Sequence, residues 1–267
     1  MQNILDKIVE KKKLEVAQSK EIYPVKYLEK SIYMTRKTLS LSSHILHTGK
    51  YGIIAEFKRK SPSKGLINGN VAVEDVTAGY VKAGASALSV LTDREFFGGE
   101  NRDLTIARKA SNCPVLRKDF IIDEYQVLEA KSIGADAILL IAAILNAQEI
   151  KHLASFARSL ELEVLMEVHE KEELEKLSEH LNVIGVNNRN LKDFSVDIER
   201  SVILAHHIPG QFIKISESGL SDPHNIITLQ EAGFQGFLIG ETFMKSADPA
   251  GTCAAFIEQL GNLKKES

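Results

Sequence analysis

A chain of 267 residues, 44% hydrophobic and 26% charged, has the length of one α/β barrel with room for an extension and the composition of an ordinary globular domain, which excludes a disordered or membrane-embedded protein. The formal net charge of −3 comes from interspersed acids and bases, so no extended basic face exists for nucleic acid and any bound anion must be met locally. Cys113 and Cys253 are the two cysteines, too few for a disulfide framework and set in small or apolar surroundings. With no signal peptide and no apolar run near the roughly 18 residues that span a bilayer, the expected location is the cytoplasm, away from membranes.

In chain order, residues 1–48 are expected to form an N-terminal helical extension, with helical spacing at Ile4, Leu5 and Ile8, then Val9 and Leu14, and a break at Tyr23-Pro24. The run Lys11-Lys12-Lys13 reads as the solvated face of that helix. Two placements are open for the extension: over the mouth of a barrel as a lid, or across its bottom. Residues 49–267 are expected to form the barrel, and no linker rich in Pro, Gly or Ser marks a second domain.

From Tyr51 onward, short β-rich runs alternate with longer segments of helical period, the pattern of βα units around a parallel sheet. Strands are predicted at 52–57, 87–91, 115–118, 137–141, 163–167, 183–187, 212–216 and 236–239. Helices are predicted near 72–83, 101–110, 124–133, 147–159, 171–180, 197–207, 222–231 and 247–260. Ala83-Gly84-Ala85, Ile133-Gly134-Ala135 and Ala232-Gly233-Phe234 place a glycine just past a helix end, where it is favoured. The fold class is therefore α/β: a (β/α)8 TIM barrel with an N-terminal helical extension, one structural domain overall.

Reacting groups in such barrels come from the carboxyl ends of the strands, and here those ends are rich in polar residues. Side chains alternate along a strand, so Glu56 and Lys58 at the end of the first strand share one wall while Phe57 faces away. Lys118 follows Leu116 in phase on the third strand, and Glu167 follows Leu165 on the fifth. The sixth ends in Asn187-Asn188-Arg189 and the seventh in Glu217-Ser218-Gly219. Charges gathered in one mouth are costly unless they pair or serve a substrate, and such clusters tune lysines and carboxylates for proton transfer. Separately, Ser216-Glu217-Ser218-Gly219 and Leu238-Ile239-Gly240-Glu241 follow the seventh and eighth strands, where barrels build phosphate sites from backbone N–H groups. Lys58 or Arg189 could supply the positive charge there.

At these residues the chain resembles the indole-3-glycerol-phosphate synthase family, from the extension through the last strand. The resemblance is carried in order by Ile54-Ala55-Glu56-Phe57-Lys58-Arg59-Lys60-Ser61-Pro62-Ser63-Lys64-Gly65, by Leu91-Thr92-Asp93 with Phe96-Phe97-Gly98-Gly99, and by Leu116-Arg117-Lys118-Asp119-Phe120. It continues through Glu167-Val168-His169, Asn187-Asn188-Arg189-Asn190-Leu191, Glu217-Ser218-Gly219 and Gly240-Glu241.

The resemblance implies a carboxy-lyase of tryptophan biosynthesis that converts 1-(2-carboxyphenylamino)-1-deoxyribulose 5-phosphate to indole-3-glycerol phosphate, CO2 and water. It implies no cofactor and no metal, a small phosphorylated molecule as partner, no nucleic acid and no membrane; a monomer is expected. Lys118 would be the general acid at the ribulose carbonyl. Lys58 would contact the substrate carboxylate or phosphate, and Glu167 and Glu56 would handle protons, with the choice of base left open. Asn187 and Glu217 would position the hydroxyls and the leaving oxygen, and Ser61, Arg189 and Ser218 would complete the polar lining. Phe97, Phe120, Leu139 and Leu191 would hold the aromatic ring. Phosphate would be held by Lys58, Gly219, Gly240 and Glu241. Some family members carry serine where Glu241 stands, so here the backbone N–H is expected to serve while the carboxylate points away. The competing readings are a phosphoribosylanthranilate isomerase-like barrel, which would use a Cys and an Asp, and a non-catalytic barrel that binds phosphometabolites.

Overall fold

The computed structural model of the protein describes residues 4–190 and 193–266. Eight parallel strands close into a barrel: β1 (Ile53–Phe57), β2 (Ala87–Leu91), β3 (Val115–Lys118), β4 (Ala137–Ile141), β5 (Glu163–Val168), β6 (Val183–Asn187), β7 (Ile213–Glu217) and β8 (Gly236–Ile239). Each pairs with its sequence neighbour, and β8 pairs back onto β1. The strands are buried on both faces, which is why they read as apolar runs.

Three helices precede the barrel, α1 (Ile4–Ile22), α2 (Val25–Leu28) and α3 (Leu41–Ile45). The connections then supply α4 (Val73–Lys82), α5 (Arg94–Phe97), α6 (Asn101–Lys109), α7 (Glu124–Ile133) and α8 (Ala147–Ser159). The last four are α9 (Glu199–Ala205), α10 (Pro223–Glu231), α11 (Glu241–Met244) and α12 (Pro249–Glu266). The starts are written in the sequence: Asp123 accepts from the Tyr125 N–H, Asn146 from those of Gln148 and Glu149, and Asp222 stands before a proline at the first helical position. Gly134 ends α7 at φ 99°.

One expected helix is absent in that form: residues 171–180 give only a 3-10 turn, Lys171–Lys176. Its sequence, KEELEK, offers Leu174 as its one apolar side chain and three glutamates close together, too little apolar face to hold a longer helix on the barrel.

Alternation sorts the strands into an inner and an outer face. The outward residues form the core shared with the helices. The inward ones stack in layers from alternate strands. Following the register around the ring, Ile54, Leu116, Leu165 and Ile215 from β1, β3, β5 and β7 make an apolar layer, with Leu139 and Leu238 between the strands above it. The next inward residue on those same four strands is Glu56, Lys118, Glu167 and Glu217, so the apolar stack is capped at the carboxyl end by a ring of four ionisable groups.

The extension serves both ends of the barrel. Leu41 and Ile45 of α3 are buried with Ala87, Ala137 and Val183 at the amino ends of the strands, and Glu163, first in β5, accepts from the hydroxyls of Ser40 and Ser42 at 2.6 and 2.7 Å. At the other end Ile4, Leu5 and Ile8 of α1 lie over the mouth. Between them the chain runs down the outside: the Tyr125 hydroxyl donates to the carbonyls of Ser19 and Tyr23, and Arg36 pairs with the buried Asp136 at 2.7 Å.

The lysine run needs a correction. Lys11 and Lys13 are exposed as expected, but Lys12 is 2% exposed, and its ammonium lies 2.9 Å from Asp93, 2.9 Å from Asp119 and 2.8 Å from Glu15. It faces inward because Ile8, Lys12 and Val16 fall four residues apart on the helix and share its buried stripe.

Candidate active site

The ring of ionisable groups is organised by short ion pairs. Lys118 donates to Oε2 of Glu167 and to Oε2 of Glu217, both at 3.0 Å, and Lys58 donates to Oε1 of Glu56 at 2.7 Å. Ser89, inward on β2, donates to the other Glu56 oxygen at 3.4 Å. Glycines leave room for these carboxylates: a Cβ at Gly185 would collide with Oε1 of Glu217, and one at Gly240 with Oε1 of Glu56.

The environment sets the protonation of the cluster. Burial opposes charge on Lys118, but Glu167, Glu217 and Glu56 outweigh it and hold the ammonium well above its usual range. Burial likewise opposes charge on Glu167, yet Lys118, His169 and Asn187 keep that carboxyl well below its usual range. For Glu217, burial and the neighbouring Glu167 charge overcome Lys118 and lift the carboxyl from 4.5 to about 7.

A stability signature follows from this. A carboxyl raised in the folded state favours the fold when protonated, and that contribution is lost as pH climbs from 4.5 towards 7. Glu217→Gln stays neutral throughout, so urea melts are expected to show its stability rising relative to the unsubstituted protein across that window and levelling off above it. A constant difference over the window would show that Glu217 titrates normally.

Above the ring lies a cavity of about 170 Å³. One side is aromatic and aliphatic, with Phe97 and Phe120 at 6.0 Å between ring centroids, Leu139 on the floor and Ile8 of α1 above. The other side opens onto a recess of about 260 Å³ whose wall includes Lys64, Arg189 and Lys245 together with Gly219 and Glu241. Ser218 and Gly219 turn the chain there with φ of 69° and 75°; for serine this is a strained conformation of the kind found where a backbone is held for function.

All the expected site residues among the described ones line the main cavity: Glu56, Lys58, Ser61, Phe97, Lys118, Phe120, Leu139, Glu167, Asn187, Arg189, Glu217, Ser218, Gly219, Gly240 and Glu241. Leu191 lies outside the described residues. The orientation of Glu241 differs from the expectation. Its carboxylate points to the cations of the recess, 3.2 Å from Arg189 and 3.9 Å from Lys64, opposite charges attracting at that range.

The sequence reading left the extension open between mouth and bottom, and it missed the contacts behind the ring. The Asp119 carboxylate takes Lys12, accepts from Thr92 and from the N–H of Phe120, and is held below its usual range by Lys12 and Arg117 against its burial. Arg117, facing away from the cavity, donates to Glu129 at 2.6 Å and to the Gln126 carbonyl at 2.8 Å. No group of three or more His, Cys, Asp or Glu fit to hold a metal occurs among the described residues, and no described helix is long and apolar enough to cross a membrane.

A closed (β/α)8 barrel with paired lysines and glutamates over its apolar layers, an aromatic slot on one side and a basic recess on the other, defines an acid–base enzyme for a small anionic substrate. Comparison with known proteins narrows the class. The sequence profile of the family described as indole-3-glycerol phosphate synthase matches residues 5–256. The chain is similar to the indole-3-glycerol phosphate synthase of Bacteroides thetaiotaomicron, 46% identical over 97% of this chain and 100% of that protein. It is also similar to that of Caldanaerobacter subterraneus, 44% identical over 96% and 98%, and to that of Bacillus cereus, 46% identical over 92% and 95%. Among solved structures a mandelate oxidase mutant superimposes with a TM-score of 0.58 at 12% identity, covering 80% of this chain and 73% of that one, a likeness of fold alone. The chain belongs to the indole-3-glycerol phosphate synthase family.

Proposed function

We propose that the protein converts 1-(2-carboxyphenylamino)-1-deoxyribulose 5-phosphate to indole-3-glycerol phosphate, CO2 and water, in tryptophan biosynthesis. The observation that carries this reading is the position of Lys118, held between two buried carboxylates with an aromatic slot on one side and a basic recess on the other. The carboxyphenyl ring fits the slot of Phe97, Phe120 and Leu139; the phosphate fits the recess at Arg189 and Gly219, beside Gly240 of the main cavity, displacing Glu241 from Arg189.

With the substrate so oriented, the ring carbon bearing the carboxylate attacks the ribulose carbonyl carbon, and Lys118 gives a proton to the carbonyl oxygen as its charge develops. The ring–carboxylate bond then breaks, CO2 departs, and the electrons restore the aromatic ring. The hydroxyl left by closure leaves as water when a donor at the mouth, Lys58 or the Glu217 carboxyl, protonates it, while Glu167, kept ionised, accepts the proton released as the indole double bond forms. Asn187 and Ser61 hold the sugar chain. Lys118 regains its proton before the next turnover, and Glu167, 3.0 Å away, is placed to return the one it accepted.

The isomerase-like alternative needs a cysteine acid, and both Cys113 and Cys253 are buried away from the cavity. The reading also takes the enzyme to be a cytoplasmic monomer. The test is indole emission on adding the phosphorylated substrate, in a chain that contains no tryptophan. Many turnovers per enzyme are expected, with kcat/KM roughly 100-fold lower for the phosphate-free analogue, the scale of a lost set of charge-assisted contacts. No emission from folded protein, or equal use of both compounds, contradicts the assignment.

A further inference from the structure

One ammonium stands between two buried carboxylates at equal distances, 3.0 Å to Glu167 and 3.0 Å to Glu217. A single ammonium does not balance two buried carboxylates, so a proton is favoured on one of the pair. What distinguishes the two glutamates is the second oxygen of each. Oε1 of Glu217 is buried with no hydrogen-bond partner, whereas Oε1 of Glu167 faces Nε2 of His169 at 3.5 Å.

His169 follows Glu167 by two residues, so it continues the same face of the strand, and it is 6% exposed. Behind it, Nδ1 lies 3.9 Å from Oε2 of Glu173 in the 3-10 turn, an oxygen fixed by the backbone N–H groups of His169 and Glu170 at 2.6 and 3.3 Å. Lys176 of that turn is committed to the carbonyls of Ala142 and Leu145. The charged groups around the cluster are therefore Glu173 behind the ring, Glu167 in front of it, Lys118 and Glu217 beyond, and the Glu56–Lys58 pair of β1. Neither ring nitrogen makes a hydrogen bond, and the 3.5 Å between Nε2 and Oε1 of Glu167 is a few tenths of an ångström beyond an ordinary one.

We propose that His169 is the positioning residue that breaks this tie: an N–H directed from its ring to Glu167 keeps the negative charge there and leaves the proton on Glu217, so the pair enters the reaction as one base and one acid. The inference rests on the reaction proposed above and adds the division of labour between the two glutamates. The opposite displacement of the two carboxyls described for the site agrees with it. Glu167 then accepts the carbon-bound proton, and the Glu217 proton is available to the departing hydroxyl.

The test is a double-mutant cycle read by indole fluorescence. His169→Leu is expected to lower kcat by roughly tenfold or more with KM within about twofold, because the proton now spends time on Glu167. In a Glu217→Gln background no second carboxylate competes, Glu167 stays ionised against Lys118, and the same substitution is expected to cost less than about threefold. His169→Gln, whose amide reaches the same place, is expected to recover at least about a third of kcat. Should the leucine variant fail to fold, His169→Asn, too short to reach Glu167, replaces it with the same expectations. Equal losses in both backgrounds, no loss in either, or a glutamine variant as impaired as leucine overturns the inference. If the unsubstituted enzyme shows no turnover, the reaction itself is wrong, and the two failures are distinct.

Discussion

Lys118→Met is expected to lower kcat by about 10²- to 10⁴-fold, the range associated with loss of a positioned general acid, while the dissociation constant for substrate changes only a few-fold. Binding rests on the slot and the recess, which the substitution does not touch. Chemistry fails because methionine cannot give a proton to the carbonyl oxygen, and because Glu167 and Glu217 lose the ammonium that both contact at 3.0 Å. Without that ammonium Glu167 loses the charge that keeps its carboxyl low, so it is no longer held ionised beside Glu217. Stopped-flow indole emission gives the chemical step, and equilibrium dialysis with the product gives binding. Retention of more than about a tenth of kcat would remove Lys118 from the acid role.

Lys12→Met is expected to destabilise the protein by about 3–5 kcal/mol, the cost of removing one partner from a buried ion cluster. Asp93 and Asp119 are themselves 1% and 4% exposed, and the substitution leaves them in the interior with less compensation. The sign with pH follows from both partners. Lys12 is raised in the fold even though burial opposes it, because Asp119, Asp93 and Glu15 outweigh the penalty, and its contribution is present below 10.5; Asp119 is lowered, and its contribution is present above 3.8. The deficit should therefore be full near neutrality and shrink towards both extremes. Asp119 adjoins Lys118 and caps the Phe120 N–H, and Ile8 lies one turn from Lys12 over the cavity, so KM should rise as α1 loosens. Urea denaturation checks the first effect; a change below about 1 kcal/mol would place Lys12 among ordinary surface lysines.

The barrel was legible because eight apolar runs each carry their own turn signals, and alternation along a strand has no competing reading once a parallel sheet is assumed. The same rule put Lys118 in phase with Leu116 and Glu167 with Leu165, and Glu56 on one wall with Lys58, before any coordinates; Glu217 was read from its place at a strand end. It would have reached His169 had the alternation been carried one step past Glu167. Lys12 was misread because three consecutive lysines suggest solvent, whereas the spacing of Ile8 and Val16 around it marks a buried stripe interrupted by a charge. No local signal shows that the charge is met by Asp93 and Asp119, which are about 80 and 107 positions away. The turn at Lys171–Lys176 was overextended because its charge pattern suits a helix while its apolar content does not. The orientation of Glu241 depends on Arg189 and Lys64 converging from other loops, which periodicity does not report.

The most direct test of the central claim is a crystal structure with indole-3-glycerol phosphate bound. The indole ring is expected between Phe97 and Phe120, the phosphate in the recess at Arg189 and Gly219, and the Lys118 ammonium within about 3 Å of the glycerol side chain near the new ring bond. Product seated outside this mouth, or lying in it with phosphate in the aromatic slot and the ring in the basic recess, would contradict the account.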